Sequence, residues 1–178
     1  MCSSDLTELA GKYLGIIGLG NIGKRLGRLA RALNMNIIGY DVVPIDEEFS
    51  KEVGLMKADL NTLLQSADYV SIHVPLLDST YHLIDAQKMS TMKKTAKIIN
   101  TSRGGVVDED ALYDAIKSGN LGGAALDVFE KEPAIGTKLA ELDNVLLTPH
   151  IGAQTKEAQS LAANVIAEKI VQILRGVI

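Results

Sequence analysis

Short apolar runs alternate along this chain with stretches in which apolar residues recur every three or four positions. The runs Tyr13–Ile17, Asn36–Tyr40, Tyr69–His73, Ala96–Ile99, Ala124–Val128 and Val145–Leu147 predict strands. Between them, Ile22, Leu26, Leu29, Ala30 and Leu33 fall on one face of a predicted helix, and Leu60, Leu63 and Leu64 mark a shorter one. Asp108 is placed to cap a helix bearing Ala111, Leu112, Ala115 and Ile116, with Glu109 and Asp110 in its favourable first turn. The methionines Met89 and Met92 sit at helical spacing, as core filling does. Thr155 opens a last helix whose apolar face carries Ala158, Leu161, Ala162, Val165, Ile166, Ile170, Ile173 and Leu174. Strand and helix in alternation predict an α/β fold, a doubly wound parallel sheet covered by helices on both faces in three αβα layers.

Composition narrows the setting. The 178 residues allow one domain, or one plus a piece of another, and 47% apolar residues suffice for a core. No uninterrupted apolar stretch has the length to span a bilayer, so no membrane partner is expected. The 18 basic and 22 acidic residues give a net charge of −4, with the basic side chains scattered, which points away from nucleic acid. Cys2 is the sole cysteine, which excludes an internal disulfide and a cysteine-rich zinc site; no metal is expected. No basic-then-apolar export signal opens the chain, and cytoplasm is the expected location.

The first strand runs into Gly18-Leu19-Gly20-Asn21-Ile22-Gly23 and then into a helix. In such a turn Gly18 permits the tight bend, Gly20 lets a pyrophosphate approach the backbone, and Gly23 lets the helix sit close to the strand, with the helix N-terminus facing the phosphates. The second strand ends at Asp41, completing a βαβ unit with an acid where an adenosine ribose would lie. Its charge would repel the 2′-phosphate of NADP, and no Arg follows, so NAD is the expected cofactor; the plain alternative is a loop cap. Further on, Arg103, Glu132 and His150 each lie just past a strand-like run, beside His73 and Asp127 at the carboxyl edge where doubly wound sheets bind ligands. A 2-hydroxy acid loses a hydroxyl proton and a C2 hydride together, and an imidazole titrating near pH ~6.5 suits the proton. A carboxylate beside it favours imidazolium, and a guanidinium can hold a substrate carboxylate through paired N–H donors. Taken singly, each of the three is also readable as a surface or loop residue.

Several segments together resemble the NAD-dependent D-2-hydroxyacid dehydrogenase family, and within it the phosphoglycerate dehydrogenases. They are Glu8-Leu9-Ala10-Gly11-Lys12, the glycine turn, His73-Val74-Pro75-Leu76, Asn100-Thr101-Ser102-Arg103-Gly104-Gly105, Ala125-Leu126-Asp127-Val128-Phe129-Glu130-Lys131-Glu132-Pro133 and Thr148-Pro149-His150-Ile151-Gly152-Ala153. The resemblance implies a Rossmann-like domain over residues 8–152. Residues 153–178 would be a crossover helix belonging to a substrate domain whose N-terminal part precedes this sequence. It implies that Arg103 binds substrate, Glu132 partners the histidine and His150 is the acid/base. It also implies that Gly18, Gly20, Asn21, Ile22, Gly23, Asp41, His73, Val74, Pro75, Thr80, Thr101, Ser102, Arg103, Asp127, His150, Ile151, Gly152 and Ala153 contact the cofactor. From the sequence itself, His73 reads as packing on the adenine side and His82 as an ordinary exposed residue.

The same resemblance implies a small 2-hydroxy or 2-keto acid substrate, 3-phospho-D-glycerate first, with glyoxylate, hydroxypyruvate or D-lactate as alternatives. It further implies a homodimer, with this stretch alone binding NAD but turning over little. Gln154 departs from the Ser that many relatives carry. A non-catalytic NAD-sensing module of the corepressor type shares the pattern and is the alternative of another class.

Overall fold

The structure is a computed structural model and describes residues 6–176. Met1–Asp5, for which the sequence predicts no regular element, and the lone Cys2 lie outside the described residues.

Seven parallel strands form one sheet in the order β3-β2-β1-β4-β5-β6-β7. They are β1 Tyr13–Ile17, β2 Asn36–Tyr40, β3 Met56–Lys57, β4 Tyr69–Ile72, β5 Lys97–Asn100, β6 Gly123–Leu126 and β7 Val145–Leu147. The helices are α1 Asn21–Ala32, α2 Glu47–Val53, α3 Leu60–Ser66, α4 Ala86–Thr91, α5 Glu109–Lys117 and α6 Lys156–Leu174, with a 3-10 turn at Lys138–Glu141. This is the expected Rossmann-like α/β arrangement. The two-residue β3 and the helix α2 carry too little pattern for the sequence to announce them. Asp46 starts α2 by accepting the N–H groups of Glu48 and Phe49, and Gly54 ends it in the left-handed region at φ 64°.

Alternate residues of β1 and β2 feed separate cores, and β4 to β6 add to the first. Ile17, Ile38, Val70, Ile72 and Ile98 join Leu63, Leu64, Met89 and Leu112, while Leu14, Ile16 and Ile37 join Ala30, Phe49 and Val53. Each such buried aliphatic contributes about 1.5–3 kcal/mol by leaving water.

One expectation is corrected in part here. Only part of the stripe on α1 faces the core: Ala30 is buried and Leu26 packs beside it, whereas Ile22, Leu29 and Leu33 are 66%, 65% and 54% exposed and Gly23 and Gly27 are the other buried positions. Backbone proximity is the reason. A Cβ on Gly23 would lie 2.1 Å from the Gly18 carbonyl oxygen, and one on Gly27 would lie 2.9 Å from the Phe49 ring. The helix sits so close that Gly23, Gly27 and Ala30 make most of the contact, with Leu26 at its edge. The sheet is covered unevenly. Along the register row Ile16–Ser71–Ile99–Ala125–Leu146, exposure rises from 0% at Ile16 to 65% at Leu146. On that face α1 and α2 cover β1 and β2, and among the described residues β5 to β7 keep an open apolar surface.

The strand order reverses at β1, which has β2 on one side and β4 on the other. The pairing runs to the strand ends on both sides: the Gly18 N–H donates to Tyr40 O at 2.9 Å and the His73 N–H donates to Ile17 O at 2.8 Å. Such a switch point leaves a crevice beyond the carboxyl ends of the strands.

Candidate functional site

At the crevice, Gly18 takes φ +91°, and a Cβ there would lie 2.7 Å from the His73 carbonyl oxygen. Only glycine turns the chain at this place. Gly20 is different, because a Cβ on it would meet nothing within 4 Å. The space above it is open toward the N-terminus of α1, which has no side-chain cap and no acid in its first turn. Every other described α-helix is capped: Asp46, Asp59, Asp85, Asp108 and Thr155 each accept a first-turn N–H. The backbone donors of α1 around Asn21, Ile22 and Gly23 are therefore left for an external anion, which is what a pyrophosphate requires. Asp41, just past β2, accepts the Leu19 N–H at 2.7 Å and the Val43 N–H at 3.1 Å. The carboxylate thus ties the glycine turn to the end of β2 and keeps lone pairs for a ribose. These residues fit a dinucleotide.

Next along the edge, His73 is half-buried, with its Nε2 2.9 Å from Ser71 Oγ. Burial pushes its pKa below the usual imidazole value. Val74 and Pro75 lead into a turn fastened by Thr80, whose hydroxyl donates to Pro75 O at 2.7 Å and accepts the Leu77 N–H at 2.8 Å. Thr80 therefore shapes the wall through the backbone.

The ends of β5, β6 and β7 carry the remaining groups. Thr101, Ser102 and Arg103 follow β5, and the exposed Arg103 guanidinium donates to Ser102 O at 2.6 Å. After β6 comes Asp127, only 5% exposed. It accepts the Thr148 hydroxyl at 2.6 Å and the N–H groups of Ile151 and Gly152, each at 2.8 Å. Burial opposes its charge, but those three donors and the facing His150 outweigh it and leave the pKa below the ordinary carboxylate value. Asp127 thus fastens the Thr148–Gly152 loop, in which His150 stands in the left-handed region at φ 54°.

His150 Nδ1 lies 2.8 Å from Glu132 Oε2, and Glu132 Oε1 accepts the Phe129 N–H at 3.2 Å. The His150 contact, then the Phe129 bond, hold the Glu132 carboxyl below its usual pKa. With Nδ1 committed to Glu132, Nε2 is the ring nitrogen left for chemistry. A groove of about 620 Å³ borders this pair, walled by Phe129, Pro133, Ile135, Leu147 and Pro149. Ala153 follows, exposed, ahead of α6.

His82 is the clear departure from its sequence reading. It is half-buried, stacked on Tyr81 at 4.0 Å, with Nε2 3.0 Å from Glu130 Oε1 and Nδ1 3.5 Å from Asp108 Oδ2. The carboxylates that clasp it come from segments 26 and 48 residues away, too distant for local pattern to reveal. Asn100, 2% exposed, is also part of the site's frame, and its only signal in the sequence is the turn tendency of Asn100-Thr101-Ser102 at a strand end.

The chain is similar to known proteins over most of its length. The family model described as D-isomer specific 2-hydroxyacid dehydrogenase, NAD binding domain, matches residues 2–152. A D-3-phosphoglycerate dehydrogenase of Methanocaldococcus jannaschii is 49% identical over 170 residues, covering 95% of this chain and 32% of that protein. A glyoxylate reductase of Korarchaeum cryptofilum is 44% identical, covering 95% of this chain and 51% of that protein. The crystal structure of D-lactate dehydrogenase from Aquifex aeolicus complexed with NAD and lactic acid superposes with a TM-score of 0.87 at 36% identity, covering 96% of this chain and 55% of that one. The chain thus spans about a third to a half of the length of the curated relatives it matches.

Proposed function

The chain belongs to the D-isomer specific 2-hydroxyacid dehydrogenase family, of which it carries the NAD-binding domain, and from that premise we propose that it serves oxidoreduction between NAD and a D-2-hydroxy acid. The observation that carries the proposal is the His150–Glu132 pair, Nδ1 to Oε2 at 2.8 Å, fixed at the same sheet edge as the uncapped α1 N-terminus. Residues 8–152 form the NAD-binding domain in this reading. Residues 153–178, with the exposed face of α6, belong to the substrate domain.

Bound NAD would accept the C2 hydride of the substrate. The chain's own groups do the rest. Arg103 holds the substrate carboxylate through paired donors and so fixes which face of C2 is presented. His150 Nε2 takes the hydroxyl proton during oxidation and returns it to the carbonyl oxygen during reduction. Glu132 stabilises the imidazolium and keeps the ring in one orientation through Nδ1. On the cofactor side, the N–H groups after Gly20 hold the pyrophosphate and Asp41 the adenosine ribose. His73, Val74, Pro75, Thr80, Thr101, Ser102 and Ile151 to Ala153 line the remainder. Asp127 joins them through the loop that it fastens.

Among substrates, 3-phospho-D-glycerate is the first choice, supported by the 49% identity to the phosphoglycerate dehydrogenase of M. jannaschii. The test is turnover by the full-length protein with NAD of 3-phospho-D-glycerate, D-lactate and D-glycerate, and with NADH of glyoxylate and hydroxypyruvate. A kcat/KM for 3-phospho-D-glycerate at least about tenfold above the others is expected, since binding the phosphate adds transition-state stabilisation remote from C2. A clear lead for glyoxylate would move the assignment to a reductase. No turnover of any of them, with NADH bound, would favour a sensing module.

A further inference from the structure

The buried polar side chains of the described core are Ser50, Ser71, Asn100 and Asp127. Two of these end neighbouring strands, and the Asp127 N–H donates to Asn100 O at 3.0 Å. Asn100 is 2% exposed, and the bonds of its side chain all go to the turn that follows β5. Its Oδ1 accepts the Ser102 N–H at 3.0 Å and the Ser102 hydroxyl at 2.8 Å, while its Nδ2 donates to Arg103 O at 3.0 Å. The far side of the turn is pinned by packing. Gly104 lies so close to the segment after β6 that a Cβ on it would stand 1.8 Å from the Phe129 carbonyl oxygen. Phe129 in turn donates its N–H to Glu132, the partner of His150.

The backbone of Arg103 is therefore held between the Asn100 amide and the close approach of Gly104 to the Phe129 carbonyl, and the N–H of the same Phe129 donates to Glu132. We propose that Asn100 is a positioning residue for Arg103, fixing where the guanidinium stands relative to the Glu132–His150 pair. It acts through Arg103 and touches neither substrate nor cofactor. The proposal rests on the reading of Arg103 as the ligand of the substrate carboxylate. Its physical basis is that a long, exposed arginine has many rotamers, so its reach is defined only if its backbone is fixed. A small error at such a clamp is costly, because misplacement by about 1 Å can slow a reaction up to 10²-fold. An apolar side chain in place of Asn100 would also leave the Ser102 N–H and Arg103 carbonyl without their partner at a buried place.

The test uses Asn100→Asp, which keeps the acceptor for Ser102 but replaces the donor to Arg103 O by a second acceptor, beside Asn100→Ala and Arg103→Ala. In the full-length protein, N100D should raise KM for the 2-keto acid by about tenfold, several times more than it changes the NADH Kd, with N100A at least as severe. R103A separates the two possible failures. If R103A leaves KM unchanged, the role given to Arg103 falls; if R103A raises KM and folded N100D does not, the role given to Asn100 alone falls. A measurement on the unsubstituted chain needs no variant to fold: hydrogen exchange of the Ser102 amide, whose acceptor is Asn100 Oδ1. Protection comparable to that of the β5 amides is expected. Exchange at the rate of an open loop would overturn the proposal.

Discussion

At the scale of single residues, the chemistry of the site comes from pairings, and pairings are what the sequence half reveals. Arg103, Glu132 and His150 are legible as a cation, a carboxylate and an imidazole after successive strands, because their types suit acid oxidoreduction and their places follow strand patterns. What was not legible is how each is held. The contacts of Asp127 to Thr148, Ile151 and Gly152 span 21 to 25 residues, and that of His150 to Glu132 spans 18. Such links exist only once β6 and β7 are paired. Replacing His150 by Ala should lower turnover by about 10²–10⁴-fold in the full-length protein, the usual range for loss of a general acid or base. NADH affinity should stay within about threefold, since the ring acts on the substrate proton. Steady-state kinetics and an NADH titration check the two halves separately.

At the scale of elements, the loop between β1 and α1 gives a sharper contrast than a single loss. Gly23→Ala should destabilise the fold by about 1–3 kcal/mol or more, because a methyl there has no room, and overpacking of that kind is costly. Its Cβ would lie 2.1 Å from Gly18 O. Gly20→Ala should leave stability nearly unchanged, since Gly20 has φ −72° and nothing within 4 Å of a Cβ. It should still weaken NADH binding by at least about tenfold, because the methyl occupies the phosphate approach. Denaturant unfolding and NADH titration of both variants decide this; equal behaviour of the two would contradict the distinct roles given to them. The glycine motif was readable from the sequence, but the neighbouring leucines misled. An amphipathic stripe of large residues predicts a buried face only where large side chains make the contact, and α1 meets the core mainly through Gly23, Gly27 and Ala30. The Asp108 cap was readable for the opposite reason, being local: its Oδ1 accepts the Ala111 N–H at 2.9 Å. Removing it should cost about 1 kcal/mol in denaturant unfolding.

At the scale of the whole molecule, two apolar surfaces remain without cover among the described residues, the β5–β7 half of one sheet face and helix α6. None of the α6 residues is buried, and Leu161, Ile166 and Leu174 are 64%, 59% and 81% exposed. The chain by itself should therefore self-associate with rising concentration, which sedimentation would show as a shift that Ile166→Glu reduces. No described helix is long and apolar enough to cross a membrane. The half-buried His73 and the buried Asp127 both contribute to the pH response, at different places on the scale. His73 is held below its usual pKa by burial. The native state thus binds fewer protons there than the unfolded chain, and stability falls as pH drops through about 6.5 toward the lower folded value. Asp127 is held below the usual carboxylate value, so its contribution is full above about pH 3.9 and is lost as pH falls through its folded value. Denaturant unfolding followed from pH 8 downward should show the His73 step first, removed by His73→Gln, and then an acid loss that Asp127 shares with other carboxylates held low, such as Glu132 and Asp85. The central claim is that the uncapped α1 N-terminus and Asp41 form an NAD site, and it is tested most directly by titrating this 178-residue chain with NADH and NADPH in parallel. The account predicts saturable NADH binding at least about tenfold tighter than NADPH, because Asp41 opposes a 2′-phosphate. Equal affinity for the two, or no NADH binding by a chain that is folded, would contradict it.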